Sequence, residues 1–217
     1  MPPLLAAILP PLVVAVERRG DGDPAPLFPA EAAAVAAAVA TRRQEFATVR
    51  LCARDALRAL GVPAGPLLPG AGGAPGWPPG VRGSMTHCAG YRAAAVARAT
   101  DLAGLGIDAE PDEPLPAGVL DLVADPAERA ALPATGGPCW DRLLFCAKEA
   151  LYKAWFPLTG RWLGFEEARV TLAPDGTFTA HLLVEGVPIG GRVRAEFAGR
   201  WHAAPGLLLA AVVVPTG

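Results

Sequence analysis

Asp108 and Glu110 stand two residues apart in Leu105-Gly106-Ile107-Asp108-Ala109-Glu110-Pro111. Glu149 and Lys153 stand four apart in Phe145-Cys146-Ala147-Lys148-Glu149-Ala150-Leu151-Tyr152-Lys153-Ala154-Trp155. On a strand the first two side chains project from one face; on a helix the second two share a face. Carboxylates converging at a strand end suit a hard cation such as Mg²⁺, which takes few protein carboxylates and completes its shell with water and substrate phosphate. A solvated turn before proline explains Asp108 and Glu110 as well, and a surface i,i+4 ion pair explains Glu149 and Lys153. The setting of Leu144, Phe145, Leu151, Trp155 and Phe156 argues for a mostly buried helix, where retained charges serve function.

Lys148 and Lys153 are the only lysines; every other basic side chain among the 19 is arginine. Where a generic positive charge suffices, this Ala-, Gly-, Pro- and Arg-rich chain uses arginine. The two lysines therefore read as sites needing a compact ammonium that places a point charge and can give up a proton. Gly83-Ser84-Met85-Thr86-His87 offers small residues, two hydroxyls and an imidazole, a set able to wrap a phosphate, although His87 serves equally as a structural hydrogen bonder. Arg43, Arg50, Arg54 and Arg58, with Arg42 adjacent, recur at helical spacing. Guanidinium forks bind phosphate bidentately, and a plain solvated face has the same spacing.

Composition narrows the partners. The 217 residues are 52% hydrophobic and 18% charged, with a net charge of -2, which fits a globular chain and gives no global attraction for nucleic acid. Cys52, Cys88, Cys139 and Cys146 show neither zinc spacing nor the density of a disulfide scaffold, so we expect reduced thiols and a cytoplasmic protein. The apolar start, Leu4 to Val16, lacks a basic n-region, is interrupted by Pro10-Pro11 and is too short to span a bilayer; a buried strand over Leu12 to Val16 explains it better.

Several elements must position these residues. Pro29-Ala30-Glu31 opens an Ala-rich helical stretch to about Leu60, as one helix or two, stopped by Gly61 and Pro63. A Gly/Pro loop from Gly61 to Gly83 is long enough to be a binding element. Strands are expected at Tyr91 to Arg98, Leu105 to Pro111, Ala168 to Leu172, Thr177 to Val184, Arg192 to Trp201 and Leu207 to Val214, with a helix from Asp141 through Trp155. Without a βαβ rhythm, this reads as α+β with mainly antiparallel sheet. A hydrophobic lip near Leu115 to Leu122 could meet a partner helix, or simply pack into the core.

Taken together, Gly83-Ser84-Met85-Thr86-His87-Cys88, Gly106-Ile107-Asp108-Ala109-Glu110 and the Phe145–Trp155 block resemble the three signature blocks of 4'-phosphopantetheinyl transferases, in particular the larger pseudo-duplicated bacterial type that serves siderophore, polyketide and non-ribosomal peptide synthesis. The resemblance covers about Glu31 to Glu167, including Trp77-Pro78 and Phe156-Pro157-Leu158-Thr159. It implies two similar α+β halves, residues 1–104 and 105–217, and transfer of the phosphopantetheine arm of coenzyme A to a serine of acyl or peptidyl carrier proteins by a monomer, with no membrane partner. By that resemblance Asp108, Glu110 and Glu149 hold Mg²⁺ or Mn²⁺, Glu149 also takes the serine proton, and Lys153 stabilises the departing adenosine 3',5'-bisphosphate. Lys148 contacts phosphate, and Arg42, Arg50, Ser84 and His87 bind the phosphates of coenzyme A. The loop Pro69-Gly70-Ala71-Gly72-Gly73 is uncharged where relatives often carry basic residues. A nucleotide pyrophosphatase, or a non-catalytic coenzyme A-binding partner, are the competing readings.

Overall fold

In the computed structural model, which describes residues 3–20 and 26–217, all strand pairings are antiparallel. In chain order the elements are β1 (Val14–Arg19), α1 (Pro29–Ala34), α2 (Ala40–Ala59), β2 (Val81–Cys88), β3 (Tyr91–Arg98), β4 (Leu102–Pro111), α3 (Val119–Val123), α4 (Pro126–Ala131), α5 (Trp140–Thr159), β5 (Ala168–Leu172), β6 (Thr177–Leu182), β7 (Val187–Ile189), β8 (Arg192–Arg194), β9 (Glu196–Ala204) and β10 (Leu207–Pro215). One sheet has the order β1-β3-β2, a second β4-β10-β9-β6-β5, and β7 pairs with β8 as a small ribbon. The fold is α+β in two halves, each built on one sheet and one 20-residue helix.

The run Ala93–Ala97 in β3 is fully buried, and its alternation explains the layering. Ala94 and Val96 pack with Cys52, Ala53, Ala56 and Leu57 of α2. Ala93, Ala95 and Ala97 pack on Leu105, Ile107 and Ala109 of β4 and Leu207, Leu209 and Ala211 of β10. On the far face of the second sheet, Ala210, Val212 and Val214 meet Ala147, Ala150, Leu151 and Ala154 of α5. Side chains alternate across a strand, so the layers run α2, sheet, sheet, α5. Methyl side chains at the inner positions let the sheets close tightly.

Some expectations shift. The Ala-rich stretch is two helices, the first strand starts at Val14 and not Leu12, and Arg192 to Trp201 is broken at Ala195 into β8 and β9. The Gly83–His87 segment is not a wrapping loop. It lies within β2, with Gly83 opposite Val96 and His87 opposite Arg92 in the β3 ladder, so its backbone is committed to the sheet. The Gly/Pro loop carries only a short 3₁₀ turn at Ala71–Gly73 and a bridge between Pro69 and Pro75. Among the described residues no helix is long and apolar enough to cross a membrane, and all four cysteines are free.

Candidate active site in the cleft between the halves

From Gly104 onward the even-numbered residues of β4 face α5, and the first two of these are glycines for a steric reason. A Cβ on Gly106 would stand 2.0 Å from the carbonyl oxygen of Ala150, and one on Gly104 3.0 Å from that of Ala154. Helix and strand backbones therefore touch at Gly104 and Gly106. Further along the same face come Asp108 and Glu110, opposite the segment of α5 that carries Glu149 and Lys153.

There the Lys153 ammonium donates to Asp108 Oδ1 at 2.5 Å. It is paired with the strand carboxylate, not with Glu149 one helical turn away, so the i,i+4 surface pair is replaced by a bond between elements. Burial alone would depress the Lys153 ammonium, but Asp108 and then Glu149 outweigh it and its pKa is raised. Burial, then repulsion from Asp108, raises the Glu149 carboxyl above its ordinary value, with Lys153 opposing. Glu110 is raised by the same two causes, against Arg142, whose Nη1 donates to Glu110 Oε2 at 3.0 Å.

Of these groups Glu149 and Lys153 line one wall of a cleft of about 760 Å³ to which both halves contribute, and Asp108 reaches it through its bond to Lys153. Arg42, Phe46 and Arg50 come from α2, Gly72, Gly73 and Trp77 from the Gly/Pro loop, Ser84 and His87 from β2, and Glu149, Tyr152, Lys153 and Phe156 from α5. Gly72, at φ +61, is packed against Phe156 so closely that a Cβ would sit 2.5 Å from the ring. The loop is thereby docked across the cleft on α5. A second hollow of about 600 Å³, lined by Arg200, Trp201 and His202, contains none of the candidate residues.

At the opposite wall Arg42 Nη1 lies 2.5 Å from His87 Nε2, while His87 Nδ1 faces Glu45 at 3.8 Å. Burial, then the Arg42 charge, lowers the His87 pKa, so its imidazole is neutral at pH 7 and accepts from the guanidinium. Glu45 also faces Arg42 at 3.6 Å and Arg92 at 3.4 Å. Arg50 lines the cleft, but its Nε is bound to the Leu67 carbonyl at 2.9 Å and burial pushes its pKa down to about 10.

Of the expected phosphate contacts, Lys148 lies outside the cleft and Ser84 is engaged in the sheet junction. Lys148 is buried, and its ammonium donates to Glu128 Oε2 at 2.8 Å and to the carbonyls of Phe165 and Ala168 at 2.8 and 2.9 Å. All three protons are used, so Lys148 ties α5 to α4 and β5 and has none left for phosphate. Ser84 lines the cleft, but it is 3% exposed and its Oγ accepts from the Ile107 amide at 3.0 Å. The arginine stripe is likewise divided: Arg54 is paired with buried Glu31 at 3.1 Å, Arg58 with Asp55 at 2.7 Å. The sequence reading missed Glu45 and Arg142. Helical spacing carried both, since Glu45 is three residues from Arg42, and Arg142 seven from Glu149.

Among the described residues no three carboxylate, thiol or imidazole side chains already stand as a metal-holding cluster; Asp108 is turned to Lys153, and Glu110 to Arg142. The donor set nonetheless fits a hard cation. Asp108 Oδ2 is buried with no hydrogen-bond partner, and Glu110 and Glu149 are held up by burial and the neighbouring carboxylate, a strain that a divalent charge relieves.

Residues 30–97 match the model of the 4'-phosphopantetheinyl transferase N-terminal domain, and residues 104–204 that of the 4'-phosphopantetheinyl transferase superfamily. The chain belongs to this family. It is 57% identical to a 4'-phosphopantetheinyl transferase of Streptomyces mobaraensis, over 97% of this chain and 89% of the relative. It is 49% identical to one of Mycobacterium tuberculosis, over 97% and 98%. Enterobactin synthase component D of Salmonella typhi is 33% identical over 65% of this chain and 60% of its own length. As a transferase of this class, the chain uses coenzyme A as its co-substrate.

Proposed function

We propose that the cleft binds coenzyme A and that the chain moves the 4'-phosphopantetheine arm to a serine of acyl or peptidyl carrier proteins, releasing adenosine 3',5'-bisphosphate. The observation that carries this reading is that Lys153, bonded to Asp108, lines with Glu149 a cleft whose opposite side holds Arg42 and His87. Asp108 through its unpartnered Oδ2, Glu110 through the oxygen that Arg142 leaves, and Glu149 would hold a divalent cation, Mg²⁺ or Mn²⁺. When bound, the cation neutralises the pyrophosphate oxygens on which charge builds.

The rest is the work of side chains. Glu149, held above the ordinary carboxylate range, is the stronger base for that reason and takes the proton of the carrier serine as its hydroxyl oxygen attacks the β-phosphorus of coenzyme A. The bond from that phosphorus to the bridging oxygen breaks, and the oxygen leaves on the nucleotide. Lys153 sets an ammonium charge beside this oxygen and can deliver a proton to it. Arg42, its guanidinium held by His87, grips the phosphates of the nucleotide end. The cavity of about 200 Å³ bordered by Glu149, Tyr152, Trp162 and Leu163 is the place for the arm next to the base.

Mass spectrometry of an apo carrier protein incubated with coenzyme A and Mg²⁺ tests the proposal. A serine adduct of the phosphopantetheine mass is expected; coenzyme A cleavage with an unmodified carrier would make the chain a pyrophosphatase.

A further inference from the structure

The two sheets meet where β2 runs beside β4, and two hydroxyls span the junction. Ser84 and Thr86 project from the same face of β2, and each accepts from an amide of β4: Ile107 N to Ser84 Oγ at 3.0 Å, Ala109 N to Thr86 Oγ1 at 3.0 Å. The two differ in where the hydroxyl proton goes. Thr86 Oγ1 donates to Asp108 Oδ1 at 3.0 Å, and no bond from Ser84 reaches a carboxylate among the described residues. Thr86 and Asp108 are 3% and 4% exposed, so water does not compete.

We infer that Thr86, contributed by the first half, is the positioning residue that aims the carboxylate of Asp108 at the divalent cation. The argument is one of hydrogen-bond capacity. Because the Ala109 amide occupies a lone pair of Thr86 Oγ1, the rotation of the hydroxyl is fixed and its single proton is directed to Asp108. Oδ1 then receives both Thr86 and Lys153. With Oδ1 taken, Oδ2 is left buried and unpartnered. An orphaned carboxylate oxygen in a buried site needs a partner, and the plane of the carboxylate is set by the two donors on the other oxygen. A group that orients a metal ligand in this way typically controls affinity by 10- to 100-fold, roughly. Metal affinity therefore depends on the docking of one half against the other.

This inference rests on the proposed metal role of Asp108, and the experiment separates the two. Mn²⁺ binding to the protein with coenzyme A but no carrier is followed by the electron paramagnetic resonance signal of free Mn²⁺, so no turnover enters the readout. Thr86→Val, nearly equal in shape, is expected to raise the Mn²⁺ dissociation constant roughly 10-fold or more, and Thr86→Ser, which keeps the hydroxyl, to stay within about 3-fold of the parent chain on the same reasoning. Tyr91→Phe removes a hydroxyl that donates to Glu17 at 2.8 Å away from the cleft, and is expected to lower the melting temperature while leaving the Mn²⁺ constant in place. Should the valine variant fail to fold, Thr86→Ala removes the same hydroxyl without adding a methyl. Thr86→Val or Thr86→Ala binding Mn²⁺ like the parent, or Tyr91→Phe weakening it equally, would overturn the assignment while leaving the metal site intact. A parent chain that binds no Mn²⁺ would overturn both.

Discussion

The two lysines share a helix and do different work, because each ammonium is defined by its partners. Lys148 is the centre of a buried pair with Glu128, itself bonded to the Val170 amide at 2.7 Å. Removing one member of a buried pair strands the other, so Lys148→Ala is expected to cost about 3–5 kcal/mol in urea unfolding. Lys153 faces the cleft, and Lys153→Arg places a rigid fork where a compact charge touches Asp108, with turnover expected to fall and the unfolding midpoint to hold. Glu149→Gln keeps the volume and removes the base; kcat for carrier modification is expected to drop roughly 10²- to 10⁴-fold, with an unchanged circular dichroism melt. A Lys148→Ala variant as stable as the parent would remove its structural role, and a fully active Glu149→Gln would remove Glu149 from the chemistry. Lysine scarcity singled out both residues, but composition carries no information on which ammonium is spent on carbonyls inside the core.

At the scale of elements, the site exists because β4 and α5 approach closely enough for a strand carboxylate to meet a helix ammonium. Gly106 permits that approach, so Gly106→Ala forces a Cβ into the Ala150 carbonyl. Overpacking of this kind costs about 1–3 kcal/mol or more, which for a chain of this size is a melting-temperature loss of about 2–12 °C. Metal affinity is expected to fall with it, because the separation of Asp108 from Lys153 is set at the same contact. An alanine variant with an unshifted melt and intact Mn²⁺ binding would show that the backbones need not touch. The sequence makes the strand and the helix legible: Leu105-Gly106-Ile107-Asp108-Ala109-Glu110 alternates correctly, and the helix expected from Asp141 to Trp155 runs slightly further at both ends, from Trp140 to Thr159. The role of the glycine is not legible, since it depends on a neighbour 44 positions away in the chain. The Gly83–His87 segment was misread for a related reason. Small and hydroxylated residues favour turns by local propensity, and here pairing with the alanines of β3 overrides it.

For the whole molecule, the α+β class follows from strands and helices mixed without a βαβ rhythm, and the three separated motifs carry the resemblance that implies the family and its two halves. What the sequence leaves out is the seam, because the inter-sheet contacts are made by alanines that look alike wherever they fall. The seam has a thermodynamic consequence. Coenzyme A occupying the cleft touches α2 and β2 on one side and α5 on the other, so binding couples to the folding of both halves. A ligand at 100 times its dissociation constant adds about 2.7 kcal/mol to the folded state. At about 2–4 °C per kcal/mol for a chain of 150–250 residues, this is a rise in melting temperature of roughly 5–11 °C. Arg42 is half exposed, so Arg42→Ala costs little without ligand. At the same coenzyme A concentration, however, the double variant Arg42→Ala, His87→Ala is expected to lose most of that rise, because the phosphate grip is gone while the fold remains. Differential scanning fluorimetry of the two proteins with and without coenzyme A measures it. An equal shift in both would place the phosphates away from Arg42 and His87, and no shift in the parent chain would remove coenzyme A from the cleft.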